Sequence, residues 1–181
     1  MSDALTLVLT GAESSGKTTL ATALAAHFGA PLVPEYARSY LEGRASAAGD
    51  YSEADVLAIA DGQRRAEATA RAAHAGLLVA DTDLLVILIW LRERYGRVPA
   101  WIDAELQPRD DRAYVLAVPD MPWQPDPLRE HPHARMRLHG LYREALEGRG
   151  LPFIEVAGSH AQRLAAVVDW LARRASRRTA V

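Results

Sequence analysis

The most informative segment of this sequence is Gly11-Ala12-Glu13-Ser14-Ser15-Gly16-Lys17-Thr18. It matches the pattern G-x-x-x-x-G-K-S/T at every fixed position and lies between an apolar stretch rich in β-formers (5–10) and a helical pattern (16–28). Glycines permit backbone conformations that side chains exclude, so the loop amides can point inward as a nest for an anion. The start of the following helix adds partial positive charge. The segment therefore predicts a phosphate-binding loop.

The side chains of this loop have distinct expected roles. Lys17 is the only lysine among 21 basic residues, which suggests a site that needs a compact ammonium rather than a planar guanidinium. We expect it to reach the β- and γ-phosphates of a nucleotide as a catalytic residue, and the Thr18 hydroxyl to ligate Mg²⁺. Contacts with bound ATP are predicted for the whole loop and the next residue: Gly11, Ala12, Glu13, Ser14, Ser15, Gly16, Lys17, Thr18 and Thr19.

The composition is that of an ordinary globular domain. A chain of 181 residues, 49% hydrophobic and 24% charged, fits one domain over 1–181, and a net charge of −2 gives no reason to expect nucleic-acid or membrane binding. With no cysteine, the chain cannot form disulfides, zinc–thiolate sites, iron–sulfur clusters or a cysteine nucleophile. The longest apolar run, 84–91, is too short to cross a bilayer, and the first residues lack the basic segment of a signal peptide. We expect a cytoplasmic protein.

Strand and helix patterns alternate along the chain. Apolar segments rich in β-formers predict strands over 5–10, 31–34, 77–81, 114–118 and 152–156. Helical spacing predicts helices over 16–28, 37–47, 52–74, 83–95, 99–106 and 134–147, and a last helix that begins at Ser159 and frays from 173. Ser52 and Asp55 form a capping box. The alternation predicts an α/β fold, with a parallel sheet covered by helices on both faces.

Acidic residues follow the third predicted strand. Parallel sheets bind ligands outside the carboxyl ends of their strands. Asp81 ends an apolar strand in the manner of a Walker B acid, so we predict that it is catalytic and holds Mg²⁺ together with Thr18. Asp83 has two interpretations, since it either binds the substrate or caps the following helix.

A second polar cluster follows the second predicted strand. Glu35 is predicted to take the proton of a substrate hydroxyl, Tyr36 to stack on a ring, and Arg38 to bind phosphate or pair with Glu35. The alternative is a surface turn with a salt bridge. In the long helix, Gly62 disfavours helical structure by about 1 kcal/mol relative to alanine. Gln63 is therefore a candidate substrate contact, with helix–helix packing at Gly62 as the alternative.

An insertion over about 119–137 follows the fourth predicted strand and carries several of the chain's 10 prolines. Arginines on a mobile flap neutralise charge that develops during phosphoryl transfer. We predict that the insertion is a lid, that Arg129 and Arg135 are catalytic, and that Trp123 contacts the substrate. The alternative is a solvent-exposed loop with ordinary surface arginines.

These segments together resemble a known family. The loop with its Glu-Ser-Ser core, the segment 35–38, the Gly62-Gln63 pair and Asp81-Thr82-Asp83 occur in this order, and the chain resembles the ribosylnicotinamide kinase domain of NadR-type proteins, a small P-loop ATPase/kinase family. The resemblance extends over about 5–171. It implies a P-loop kinase fold, a three-layer sandwich with five parallel strands in the order 2-3-1-4-5 and a lid.

The resemblance also implies an activity. ATP would be the phosphoryl donor, with Mg²⁺, and nicotinamide riboside the acceptor, giving nicotinamide mononucleotide. The nucleotidyltransferase half and the DNA-binding region of long family members have no counterpart here, so we expect neither NAD synthesis nor repression. The residues alone leave two alternatives open, a kinase for another nucleoside or vitamin-like alcohol and a regulatory ATPase module. They predict no oligomeric state.

Overall fold

The computed structural model describes residues 4–43, 50–124 and 133–179, so Arg129 of the predicted lid lies outside the described residues. The strands within these ranges are β1 Leu5–Thr10, β2 Leu32–Val33, β3 Leu77–Asp81, β4 Arg112–Ala117 and β5 Phe153–Val156. The helices are α1 Lys17–Phe28, α2 Tyr36–Glu42, α3 Glu53–Ala73, α4 Leu84–Tyr95, α5 Ala100–Glu105, α6 Arg135–Gly148 and α7 His160–Thr179.

The strands form one parallel sheet in the order β2-β3-β1-β4-β5, as the family resemblance implies. Leu9 of β1 is in register with Asp81 of β3 and with Val115 of β4. The carboxyl end of β1, from which the phosphate loop departs, therefore lies between the ends of β3 and β4. All candidate site residues that follow a strand are thus brought to one edge of the sheet.

Helices cover both faces of the sheet, because successive side chains of a strand point to opposite sides. Leu7 and Leu9 of β1 belong to a core cluster with residues of α1 and α7: Leu20, Leu24 and Val167. Val8, between them, belongs to a second cluster with residues of α3, α4 and α6: Ile59, Leu88 and Leu146. All nine of these side chains are buried. The predicted three-layer sandwich is confirmed.

The apolar run 84–91 lies inside the domain. It forms most of α4, whose buried residues are Leu84, Leu85, Ile87, Leu88, Ile89 and Leu91. A helix that is apolar on all sides is stable in such a position because neighbouring layers contact it from more than one direction. In the described part of the chain, no helix combines the length and apolar character needed to span a membrane.

Local signals placed most helix starts correctly, and the Ser52–Asp55 capping box is confirmed by reciprocal hydrogen bonds. Several predicted boundaries were wrong. The second helix ends at Glu42, with Gly43 as its C-cap, instead of at residue 47, and β2 has only two residues, Leu32–Val33, instead of four. β4 begins at Arg112 instead of residue 114, because this arginine is buried against carboxylates and therefore lies inside a strand despite its charge. The tail from 173 does not fray, since α7 continues to Thr179 in a segment rich in arginine and alanine, which favour helix.

Candidate functional site

The loop between β1 and α1 has the backbone of an anion nest. Gly11, Ser14 and Gly16 have positive φ values of +130°, +52° and +80°. A Cβ at Gly11 would lie 2.8 Å from the carbonyl oxygen of Ala117, so no side chain fits between this loop and the end of β4. Gly16 is the N-cap of α1, which places the loop at the positive end of that helix.

Two side chains close the loop on itself. The Lys17 Nζ donates a hydrogen bond to the carbonyl oxygen of Ala12 at 2.7 Å, and the Ser15 hydroxyl donates to the same oxygen at 2.8 Å. The single lysine of the chain therefore bends back over the loop that precedes it. Contact of its ammonium with phosphate stays a prediction.

The end of β3 lies beside the start of α1. The Asp81 side chain is buried, and the Thr18 hydroxyl lies within hydrogen-bonding reach of its carboxylate. Burial raises the pKa of Asp81, although the Thr18 hydroxyl and the charges of Lys17 and Arg38 offset part of that rise. Among the described residues, none hydrogen-bonds the Asp81 Oδ1. A buried hydroxyl–carboxylate pair with a spare oxygen fits Mg²⁺, a hard cation that takes one or two protein ligands beside phosphate oxygens.

The turn after Asp81 is strained. Thr82 has a φ of +74°, a left-handed conformation that is unfavourable for a β-branched residue. Backbone hydrogen bonding holds it there, since its N–H donates to the Leu9 carbonyl at 3.1 Å and its carbonyl accepts from Gln63 Nε2 at 3.3 Å. Such strain persists only where surrounding contacts impose it, most often at functional sites.

Gln63 connects this turn to the end of β2. Its Oε1 accepts a hydrogen bond from the Tyr36 N–H at 2.7 Å, and its Nε2 also donates to the Pro34 carbonyl at 3.4 Å. The side chain is buried. Gly62, its neighbour, lies against the Tyr36 ring, as the packing alternative requires. Gln63 thus fixes the backbone around the acidic loops, while its direct contact with a substrate stays a prediction.

The predicted acceptor residues lie at the start of α2. Glu35 is the N-cap residue of α2, but its side chain makes no capping hydrogen bond. Its carboxylate therefore does not serve to begin the helix. Arg38 forms an ion pair with Glu42 one turn later, at 3.3 Å. Its charge also lies close enough to Asp81 to offset part of the rise in the pKa of that carboxyl, while its contact with phosphate stays a prediction.

The charges of three carboxylates act on one buried tyrosine of α6. Burial raises the pKa of Tyr142, and the negative charges of Glu35, Glu13 and Asp83 raise it further. These acids come from the loops that follow β2, β1 and β3, respectively. The charge of Asp83 is paired with Arg112, so Glu13 and Glu35 are the acids of this group that carry over to the proposal for the ligand.

Asp83 has fixed partners on both oxygens. Its Oδ1 caps α4 by accepting from the Leu85 N–H at 2.9 Å. Its Oδ2 accepts from the Tyr114 hydroxyl at 2.9 Å and from Arg112 Nη2 at 3.0 Å, and Arg112 makes a bidentate ion pair with Glu67 at 2.6 and 2.7 Å. The helix-capping interpretation is confirmed. Contact of Asp83 with a substrate stays a prediction.

The described part of the predicted lid contacts the phosphate loop. Arg135, the first residue of α6, donates from Nη1 to the carbonyl oxygens of Ser14 at 3.2 Å and Met121 at 2.9 Å. Its guanidinium lies 5.7 Å from the centre of the Trp123 ring. The structure thus brings Arg135 and Trp123 to the loop, whereas their contact with phosphate or substrate stays a prediction.

Arg163 of α7 was not among the residues predicted from the sequence. It donates from Nη1 to the Ser15 carbonyl at 2.7 Å, from Nη2 to the Val118 carbonyl at 2.9 Å and from Nε to the Gly158 carbonyl at 2.9 Å, and it pairs with Asp120. Its partners are mainly backbone atoms of distant loops, which leave no pattern in the sequence. One arginine thus joins the loops that follow β1, β4 and β5.

A family profile described as an AAA domain matches residues 6–163. The chain belongs to this family of AAA domains. The match includes the phosphate loop, Asp81 and Arg163, and so extends over all the site residues described above. The phosphate loop of this AAA domain therefore implies nucleotide binding.

Solved structures share the fold of this AAA domain. A NadR protein in complex with NR superposes with a TM-score of 0.75 at 20% identity, over 94% of this chain and 51% of that chain. A NadR protein in complex with NAD and AMP-PNP gives 0.73 at 21%, over 94% and 49%. The YorR protein from Bacillus subtilis in complex with phosphorylated GDP gives 0.52 at 13%, over 92% and 95%.

These similarities confirm the resemblance to NadR at the level of the fold. The AAA domain spans about half the length of the NadR chains that it matches. No curated protein sequence matches it significantly.

Proposed function

We propose that this AAA domain is a kinase that uses Mg²⁺ and ATP to phosphorylate the ribose 5′-hydroxyl of nicotinamide riboside. The observation that carries this proposal is the position of the phosphate loop beside carboxylates at the ends of the two neighbouring strands β3 and β2. The phosphate loop and the end of β3 form a donor half that suits a nucleotide. The residues that follow β2 form an acceptor half that suits a hydroxyl group. The complexes of the NadR proteins with NR and with AMP-PNP support the same pairing of ligands.

The donor half holds the nucleotide phosphates. The loop amides and the positive end of α1 stabilise phosphate oxygens, and Lys17 exchanges the Ala12 carbonyl for the β- and γ-phosphates. Thr18 and Asp81 would hold Mg²⁺, which when bound neutralises charge that develops on the phosphoryl group. The unsatisfied Oδ1 of buried Asp81 supports this assignment.

The acceptor half binds the riboside and removes a proton. As the ribose oxygen forms its bond to the γ-phosphorus, the bond from that phosphorus to the β–γ bridging oxygen breaks and ADP leaves. Glu35, which directly follows β2 at the start of α2, accepts the hydroxyl proton in this step. Tyr36 offers an aromatic face to the pyridinium ring, a contact that contributes about 0.5–2 kcal/mol. The negative charge of Glu13 and Glu35 favours the same cationic ring.

A panel of acceptors tests the proposal. ADP release and the phosphorylated product are measured together, with Mg-ATP and nicotinamide riboside, uridine or thymidine as acceptor. We expect the kcat/KM of nicotinamide riboside to exceed that of the neutral nucleosides by about tenfold or more, because an aromatic and acidic pocket stabilises a cation. Lys17→Ala, which lacks the phosphate-contacting charge, serves as the control for contaminating kinases.

Other outcomes separate the alternatives. A preference for a neutral nucleoside would exclude nicotinamide riboside as the acceptor and would retain a kinase. ATP hydrolysis that Lys17→Ala abolishes, without transfer to any hydroxyl, would contradict the kinase and support a regulatory ATPase module.

A further inference from the structure

Arg163 lies behind the phosphate loop, near the start of α7, and is 2% exposed. Its guanidinium hydrogen-bonds the backbone of three loops at the edge where the site lies. We infer that Arg163 is a positioning residue that orients the amides of the phosphate loop and joins this loop to those after β4 and β5. Its role rests on nucleotide binding at the loop, as in the proposed function, but not on the identity of the acceptor.

The contact with Ser15 sets the direction of an amide. In a trans peptide, the carbonyl oxygen and the following N–H point in opposite directions, and none of the described peptides is cis. Because the Ser15 carbonyl accepts from Arg163 at 2.7 Å, the N–H of Gly16 points away from the guanidinium. It therefore faces the side of the loop on which an anion binds, and it cannot rotate without breaking this hydrogen bond.

The neighbouring peptides of the loop are held in the same way. The Ser14 carbonyl accepts from Arg135 at 3.2 Å, which directs the N–H of Ser15. The Gly16 carbonyl accepts from the Leu20 N–H at 3.0 Å, which directs the N–H of Lys17. Arg163 thus holds the middle one of three successive carbonyl groups. The N–H groups of residues 15–17 are therefore all fixed in direction and can bind the same anion.

Asp120 joins Arg163 to the loops that follow β4 and β5. One carboxylate oxygen pairs with Arg163, and the other accepts from the Gly158 N–H at 2.6 Å. Arg163 in turn donates to the Gly158 carbonyl at 2.9 Å. Arg163 uses a different guanidinium nitrogen for each loop, and these nitrogens lie apart in one plane. Lysine has all its donors on one nitrogen, so it cannot reach the carbonyl oxygens of all three loops in this arrangement. The loops after β4 and β5 therefore keep a fixed position relative to the phosphate loop.

Binding of a phosphate chain without a base tests this role. The dissociation constants of inorganic triphosphate and of ATP are measured calorimetrically for wild type, Arg163→Gln and Arg163→Lys, together with the thermal midpoint. Arg173→Gln is the matched control, since Arg173 is an exposed arginine of the same helix. We expect Arg163→Gln to weaken binding of both ligands by about tenfold or more, the effect of losing a charged hydrogen bond to the loop. The control is expected to bind both normally.

A purely structural role would give a different result. Arg163→Gln that is folded, even with a lowered thermal midpoint, and that binds inorganic triphosphate as wild type does would overturn the inference. If Arg163→Gln does not fold, Arg163→Lys and Asp120→Asn carry the same test, since each keeps the size of the side chain. Wild-type protein that binds triphosphate but transfers no phosphoryl group would refute the proposed kinase and leave the role of Arg163 intact.

Discussion

Gly62 of α3 lies so close to Tyr36 of α2 that a Cβ at position 62 would be 2.1 Å from Cε1 of the tyrosine ring. Real carbon atoms do not approach to this distance, so the two helices meet here only because residue 62 has no side chain. The helix loses about 1 kcal/mol by carrying glycine in its interior. In return, the ring of a predicted acceptor-binding residue is held in place beside the end of β2.

Replacing Gly62 by alanine should therefore displace the Tyr36 ring. We expect Gly62→Ala to lower the free energy of unfolding by about 1–3 kcal/mol, because a methyl group is forced into a closed contact. It should also raise the KM for the riboside more than it changes the KM for ATP. Gly140→Ala is the matched control, since the space around helical Gly140 is open, and it should gain up to about 1 kcal/mol. Denaturation and steady-state kinetics check both variants, and equal effects would contradict the packing role.

Asp81→Asn should separate stability from activity. Burial raises the pKa of Asp81, so its negative charge destabilises the metal-free fold at neutral pH, and stability rises as the pH falls through that raised pKa. We expect the asparagine variant to have a higher thermal midpoint without metal, but an Mg²⁺ requirement raised about tenfold or more. Asp169→Asn, at an exposed position of α7, is the control. An unchanged Mg²⁺ titration would remove Asp81 from the metal site.

The ion pair of Glu67 with Arg112 predicts a specific loss of stability in acid. Burial alone would raise the pKa of Glu67, but the hydrogen bonds and charge of Arg112 outweigh burial, and the pKa lies below its usual value of 4.5. The pair therefore stabilises the fold above pH 4.5, and this contribution is lost as the pH falls through the lower pKa of the folded state. Glu67→Gln should show a flatter dependence of unfolding free energy on pH below this value. Exposed Glu144→Gln should keep the wild-type profile.

The two predicted acceptor residues should affect different kinetic constants. Tyr36→Ala removes a ring contact that is present in both ground and transition states, so we expect a higher KM with little change in kcat. Glu35→Gln removes a base that acts only in the transition state, so we expect kcat to fall by about 10²–10⁴-fold. Initial rates over a range of riboside concentrations distinguish these results. If Glu35→Gln changes only the KM, Glu35 binds the riboside without accepting its proton.

Sequence patterns predicted the phosphate-binding residues more completely than the residues that hold them in position. The phosphate loop is a contiguous segment, and the positive φ values of its glycines can be predicted from the spacing of those glycines alone. Asp81 can be predicted because it ends an apolar strand. Arg163 contacts Ser15 from 148 positions away, and it binds a carbonyl oxygen that every residue type has. The charge of Arg112 predicts a position outside β4, because its buried partner Glu67 is 45 positions away and cannot be recognised from the local sequence. Contacts of this kind depend on the folded topology, so local patterns do not reveal them.

The shortness of β2 has a consequence for how the site opens. β1 pairs with strands on both sides along its length, whereas β2 is an edge strand of two residues, in register with β3 at Leu32 and Val33 only. Beyond that point, the Gln63 amide hydrogen-bonds Pro34 and Tyr36. Local unfolding begins where few backbone hydrogen bonds must break. The amide of Tyr36 should therefore exchange with solvent deuterium faster than those of β1, so that the acceptor loop can open while the phosphate loop stays folded.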